Sequence, residues 1–333
     1  MGSKGLANPY NAWETIGLLW RNLVRPSRRN PCRIRFMPQD SRLNLIEPRY
    51  SLGFAGDILM MFNRPLHFDA SVQAFFAGCT HIIGNMEGVI TDLPKEGPDQ
   101  KHTPDIMDTL ARLAPPERFY LSMANNHTGD FGEVACRQSA ARFKEFGFHV
   151  FGLDQSPWID LNEQIRIVTG TQWTNRKANY LARLEEPTRH LRDGAMNILF
   201  PHWGYEMECY PRATQVAQMN QWLASFDAVV GHHSHLPQPV TALDTAHGRR
   251  LAAYSLGDFC FGVAYKHVPV LKHFPYGLML KASVGPRLDA PHQWAIGDVQ
   301  WRFIDCDYRR HDKAFELKAV PRIPYFKARA IAS

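Results

Sequence analysis

From Tyr50 onward the chain repeats one pattern: a short apolar run that stops abruptly at Gly, Asn, Asp or His. YSLGFAGD, CTHIIGNMEG, RFYLSMANNHTGDFG, HVFGLD, IRIVTGTQ, MNILFPHWG, AVVGHHSH and LAAYSLGDF all follow it. Helical spacing of apolar residues separates several of these runs, in TPDIMDTLARL, GEVACRQSAARFKEFG and QVAQMNQWLASF. Short continuous apolar runs bounded by turn residues are strands buried on both faces. Buried strands alternating with helices define an α/β architecture in which helices cover a sheet. The last part, YGLMLKASVG and HQWAIGDVQWRFIDCDY, has the pattern of antiparallel hairpin strands. The reading is an N-terminal extension over 1–48 followed by one domain over 49–333, with a β-rich C-terminal part and no linker inside it.

The extension has its own character. NAWETIGLLWRNLV has the spacing of a short amphipathic helix. RPSRRNPCRIR is basic and broken by proline, and is expected to be a solvated arm rather than a contact for an anionic surface. No apolar run approaches the roughly 20 residues that cross a bilayer. WETIGLLWRNLV is interrupted by Glu14, Arg21 and Asn22, which argues against a signal peptide. The six cysteines lie far apart with no CxxC pair, so reduced thiols and a cytoplasmic, at most membrane-peripheral, setting are expected. The net charge of +6 favours an anionic small molecule or a carboxylate-rich polymer as partner. The basic residues are scattered and form no recognition motif, which excludes a nucleic-acid reader.

Polar residues cluster where the predicted strands end, the edge at which open α/β sheets bind ligands. They are Asp57; Asn85 and Glu87; Asn125, Asn126, His127 and Asp130; His202 and Glu206; His232, His233 and His235; and Asp258. Imidazoles and carboxylates converging on one edge make a site for Zn, Mn or Fe rather than Ca or Cu(I). Singly, each has an ordinary alternative. Asp57 after Gly56 suits a cap or turn, Asn125-Asn126-His127 suits an Asx-turn, and His202 suits a satisfied core histidine. The His233/His235 pair is the strongest, since residues two apart on a strand face one side. By the same alternation His232 is expected to point the other way.

At these residues the chain resembles the CapA-type capsule biosynthesis proteins, associated with poly-γ-glutamate synthesis and similar to calcineurin-like metallophosphoesterases. GFAGDILM, GNMEGVIT, ANNHTGDFG, HWGYEMECYPRATQ, GHHSHLPQ and YSLGDF stand in that family's order from about Leu52 to about Gly262. The resemblance implies a four-layer α/β/β/α sandwich, metallophosphoesterase-like, with one or two divalent ions at the edge of two facing sheets. It implies metal ligation by Asp57, Asn85, Glu87, Asn126, His202, His233 and His235. It implies that His127 faces the leaving group with Asp130 as its orienting partner, and that Asn125, Glu206 and Asp258 surround the site. Leu59 stands where metallophosphoesterases have a histidine ligand two residues after the first aspartate. Ser234, Met207 and Asp258 replace the family's usual Pro, Tyr and Asn.

Two readings follow. In one, the protein is a metal-dependent hydrolase of a phosphoester or γ-glutamyl amide, with Lys101 or a nearby Arg meeting substrate charge. In the other, it is a non-catalytic, metal-containing accessory protein of the capsule synthesis machinery that binds an anionic polymer or precursor.

Overall fold

A computed structural model describes residues 9–263, 265–268, 271–327 and 330–331. The fold is mixed α/β, with two large sheets among the described residues. In the larger sheet, of ten strands, Tyr50–Ile58, His81–Met86, Phe119–Ser122 and His149–Phe151 run parallel, side by side. On the other flank of Tyr50–Ile58 lie the long antiparallel strands Tyr276–Pro286, Trp294–Arg309 and Ala314–Val320, as the C-terminal pattern predicts. The smaller sheet, of six strands, has Ile165–Thr171, Met196–His202, Ala228–Val230 and Gly248–Ala253 in parallel at its centre.

Alternation along these strands builds the packing. Phe54, Ile83, Leu280 and Trp301 of the larger sheet meet Ile167, Ile198, Phe200 and Leu251 of the smaller one in a shared apolar core. The intervening residues face outward. Ala55, Ile58, Ile82 and Leu121 pack under helices α2 (Ala70–Ala77), α3 (Asp105–Ala111) and α4 (Gly132–Phe146). Val168, Leu199, Val229 and Ala252 pack with Met219 and Trp222 of α5 (Ala213–Trp222). Helix α2 is absent from the sequence reading. Its run ASVQAFFA is eight residues long, and periodicity does not separate a short buried helix from a buried strand.

Residues 9–48 are joined to this body. Helix α1 (Ala12–Leu23) forms where the amphipathic spacing predicts it, with the Asn11 side chain capping it through the Glu14 N–H at 2.9 Å. The stretch expected to be a solvated arm leaves Arg25, Arg28, Arg29, Arg33 and Arg35 exposed, and Pro26 is its one buried residue. Ser27 bridges to Glu208, and Phe36, fully buried, packs tilted against Trp301 and edge-on to Phe303. Beyond that stretch the core offers Phe36, Met37 and Leu43 a place to bury apolar area.

Strand register sets the site. Asp57 pairs with Asn85 on one side and with Asp258 on the other, so three polar side chains share one edge. His202 ends its strand and bridges to His232. The Asp57/Asp258 approach depends on glycine. A Cβ on Gly56 would lie 1.9 Å from the Gly257 carbonyl oxygen, the acceptor of the Asp57 N–H at 2.9 Å. Gly257 itself has φ +66°, a conformation disfavoured with a side chain. Replacing Gly56 by Ala is therefore expected to cost at least about 1–3 kcal/mol in denaturant unfolding. Gly78→Ala is the control. Nothing lies within 4 Å of its added Cβ, and its backbone is ordinary (φ −89°).

Candidate metal centre

Asp57 is fully buried at the end of its strand. Its Oδ1 accepts from Asn85 Nδ2 at 2.8 Å and lies 3.1 Å from His232 Nδ1. Its Oδ2 accepts the His233 backbone N–H at 2.9 Å. The Asn125 side chain donates to Asn85 Oδ1 at 3.1 Å, and its own oxygen accepts from the His127 and Thr128 N–H groups. That is the Asx-turn the sequence suggested, and it holds the following histidine at the edge. His202 Nε2 pairs with Asn126 Oδ1 at 2.8 Å. An amide oxygen only accepts, so Nε2 carries the proton and the bare Nδ1 faces His232 Nδ1, 2.9 Å away.

Two groups of donors converge. One ligand atom each from Asp57, His202 and His232 lie within 4.8 Å of one another, and so do those from Asp57, Glu87 and His235. Asp57 belongs to both. His233 belongs to neither. Its Nε2 is 2.7 Å from the Tyr10 hydroxyl, which also donates to Glu206 at 3.2 Å.

The structure corrects the expectation for His232, which points into the site. Strand alternation does not apply to it, because the strand ends at Val230 and the chain then turns. His233 (φ +102°) and His235 (φ +56°) both adopt left-handed backbone. Lys101 Nζ donates to the Leu93 carbonyl at 2.7 Å. Asp258 stands behind His235, 2.7 Å from its Nδ1. Sequence reasoning misses Tyr10 and Asn175. Each lies more than forty positions from the partner it meets here, and neither has a motif around it.

The electrostatics are unbalanced without a cation. Burial, then repulsion from Asp57, raises the Glu87 carboxyl well above its usual range. Burial, then the neighbouring imidazoles, lowers His202 and His233 well below theirs, leaving them neutral, the form that binds metal. Burial opposes the charging of His235, but Asp258, Glu87 and Glu206 outweigh it and raise the imidazole. Burial lifts Asp258 to about 7 against the pull of His235. Burial also acts against Asp57, yet the His232 bond and charge hold it below the normal carboxylate range. Glu87 Oε1, His232 Nε2, His233 Nδ1 and Asp258 Oδ2 are buried and have no hydrogen-bond partner among the described residues. Orphaned acceptors and ring nitrogens at this density fit a bound divalent ion, whose charge and empty orbitals would satisfy them.

His127 completes the edge. Its Nδ1 is 2.6 Å from Asp130 Oδ2, which also accepts the Gln100 N–H at 2.9 Å, and Asn175 donates to Asp130 Oδ1 at 3.3 Å. Asp130, held this way, fixes the proton on Nδ1 and turns Nε2 toward Glu87 Oε1, 3.8 Å off.

The family model for the bacterial capsule synthesis protein PGA_cap matches residues 51–172 and 157–263. This chain belongs to that family. The matched span holds Asp57 through Asp258, so the whole converging edge lies inside the family region, while α1 and Tyr10 lie outside it. A curated relative, the PGA biosynthesis protein CapA of Bacillus subtilis (strain 168), is 22% identical over 219 residues, covering 57% of this chain and 55% of the relative. The chain thus spans about half the length of that relative. Among solved structures, a hypothetical protein from Thermus thermophilus is similar at 11% identity and TM-score 0.39, over 74% of this chain and 98% of that one.

A histidine behind the ligands gives a pH prediction. His102 Nε2 donates to the Glu87 carbonyl, 3.0 Å away, and burial depresses its pKa from 6.5 to about 4. The unfolded chain binds that proton more readily, so the contribution is present above pH 6.5 and lost as the pH falls toward 4. It amounts to up to about 3 kcal/mol. Unfolding of His102→Gln, compared with wild type at about pH 7 and about pH 4.5, is expected to show a shallower acid loss.

Proposed function

We propose that this capsule synthesis protein is a metal-dependent hydrolase, built on a metallophosphoesterase-like α/β/β/α sandwich, that cleaves a phosphoester or γ-glutamyl amide of a capsule precursor or polymer. The observation that carries the reading is Asp57, shared between two buried donor groups with a histidine–carboxylate pair beside them. Asp57, His202 and His232 are assigned to one ion and Asp57, Glu87 and His235 to the other. Asn85 and Asn126 orient the ligands, and His233 stands next to them. The N and O donors suit Mn, Fe or Zn. A divalent ion there supplies positive charge that polarises a phosphoryl or carbonyl oxygen and acidifies water.

The chain's own residues do the rest. His127 gives a proton from Nε2 to the leaving group, and Asp130 stabilises the imidazolium that precedes the transfer. Asn175 and the Gln100 N–H hold Asp130 in place. The second reading, an accessory protein that holds an anionic polymer without cleaving it, is favoured by the net charge of +6 and by Tyr10, which packs on Trp173 and Tyr205 over His233.

Elemental analysis and calorimetric Mn or Zn titration test the centre. Asp57→Asn is expected to lose both ions, because it serves both groups, and His235→Ala to lose one while keeping the other. Wild type that takes up no metal after incubation with divalent ions would overturn the hydrolase reading. A screen of phosphoesters and γ-glutamyl peptides then tests turnover. His127→Ala is expected to lower kcat by about 100-fold or more with metal content unchanged. If anionic-polymer binding persists in wild type without turnover, the accessory reading replaces it.

A further inference from the structure

Helix α1 is docked with its charged side inward. Glu14 takes two bonds from Arg212, at 2.9 and 2.8 Å, and one from Arg21 at 2.7 Å. Arg21 is buried, and its Nε donates to the Glu206 carbonyl at 2.8 Å. The apolar side is left outward: Trp13 is 84% and Trp20 64% exposed, and Ile16, Leu19, Leu23 and Val24 are exposed beside them. A chain normally buries such a face. Here the ion pairs fix the helix the other way round.

We infer that this face docks on an anionic lipid bilayer. Charge complementarity selects that occupant. The helix runs directly into Arg25, Arg28 and Arg29, all exposed. A groove of about 1750 Å³ beside it is lined by Trp13, Trp20 and Val24 together with Arg25, Arg29 and Lys272. The inward arginines, Arg21 and Arg212, are neutralised by Glu14 and Glu208, whereas Arg25, Arg29 and Lys272 line the groove with the tryptophans. Twelve residues make a helix about 18 Å long, too short to span the hydrocarbon and suited to lie in the interface. Tryptophan favours that depth, and arginines next to it meet phosphate headgroups. Tyr10, just before the helix, contacts His233, so docking holds the mouth of the candidate centre next to the headgroups. The docking does not depend on what that centre does.

Sedimentation of the full chain with vesicles of phosphatidylcholine alone, or with phosphatidylglycerol added, tests this. Wild type is expected to bind the anionic vesicles and to lose binding as salt is raised. Brominated lipid is expected to quench its tryptophan fluorescence. Trp13→Ser/Trp20→Ser and Arg25→Glu/Arg29→Glu are each expected to weaken partitioning by about tenfold or more. Neither pair of side chains contributes to the core, so circular dichroism should match wild type. Equal sedimentation of all variants, or no binding by wild type, would overturn the inference. So would a wild-type dimer in lipid-free light scattering that the Trp13→Ser/Trp20→Ser variant breaks, since the face then belongs to a second copy.

Discussion

Asp57 is a carboxylate with no access to water, placed where the two sheets come together. A buried charge of this kind is costly unless it is paired and hydrogen-bonded. Its partners come from both sides: Asn85 from the neighbouring strand of the larger sheet, and His232 and the His233 N–H from the loop that leaves the smaller one. The pairing therefore ties the sheets at their polar edge, while the apolar core between them ties them below it. The turn after Val230, the left-handed backbone at His233 and the close passage of Gly257 over Gly56 all follow from bringing those donors within reach.

Charge at this edge does not close on itself. Glu87 is driven toward its neutral form while His235 is driven toward its charged form, and several ring nitrogens and carboxylate oxygens are buried without partners among the described residues. In a folded protein such groups are kept only where something else satisfies them. The N-terminal segment meets the same edge from outside the family region. Arg21 and Glu14 lock α1 to the loop carrying Glu206 and Glu208, and the aromatic ring of Tyr10 lies over His233. One short segment thus joins the donor edge to an exposed apolar surface.

Much of this is legible in the chain before any fold is drawn. The apolar runs predict the parallel strands, and the polar residues at their ends predict one edge, because parallel strands present all their C-terminal ends together. The helices α1, α3, α4 and α5 are read from apolar spacing, whereas α2 is too short for its period to differ from a strand's. Alternation misplaces His232 because it is a rule for strands, and the residue sits one position past a glycine in a turn. Leu59 is buried within the apolar cluster, and the imidazole beside Asp57 is that of His232. No local pattern announces that placement.

The alternation of buried strands with helices and the edge on which the polar residues gather were determined by the sequence itself, since burial and period are local properties of the chain. Which imidazole faces Asp57, that Asp57 serves both donor groups, and that Tyr10 reaches His233 across more than two hundred positions were decided only by the tertiary structure. So was the orientation of α1. Its amphipathic spacing says that one face must be covered but not which; the ion pairs of Glu14 and Arg21 with distant residues turn the charged face in and the tryptophans out.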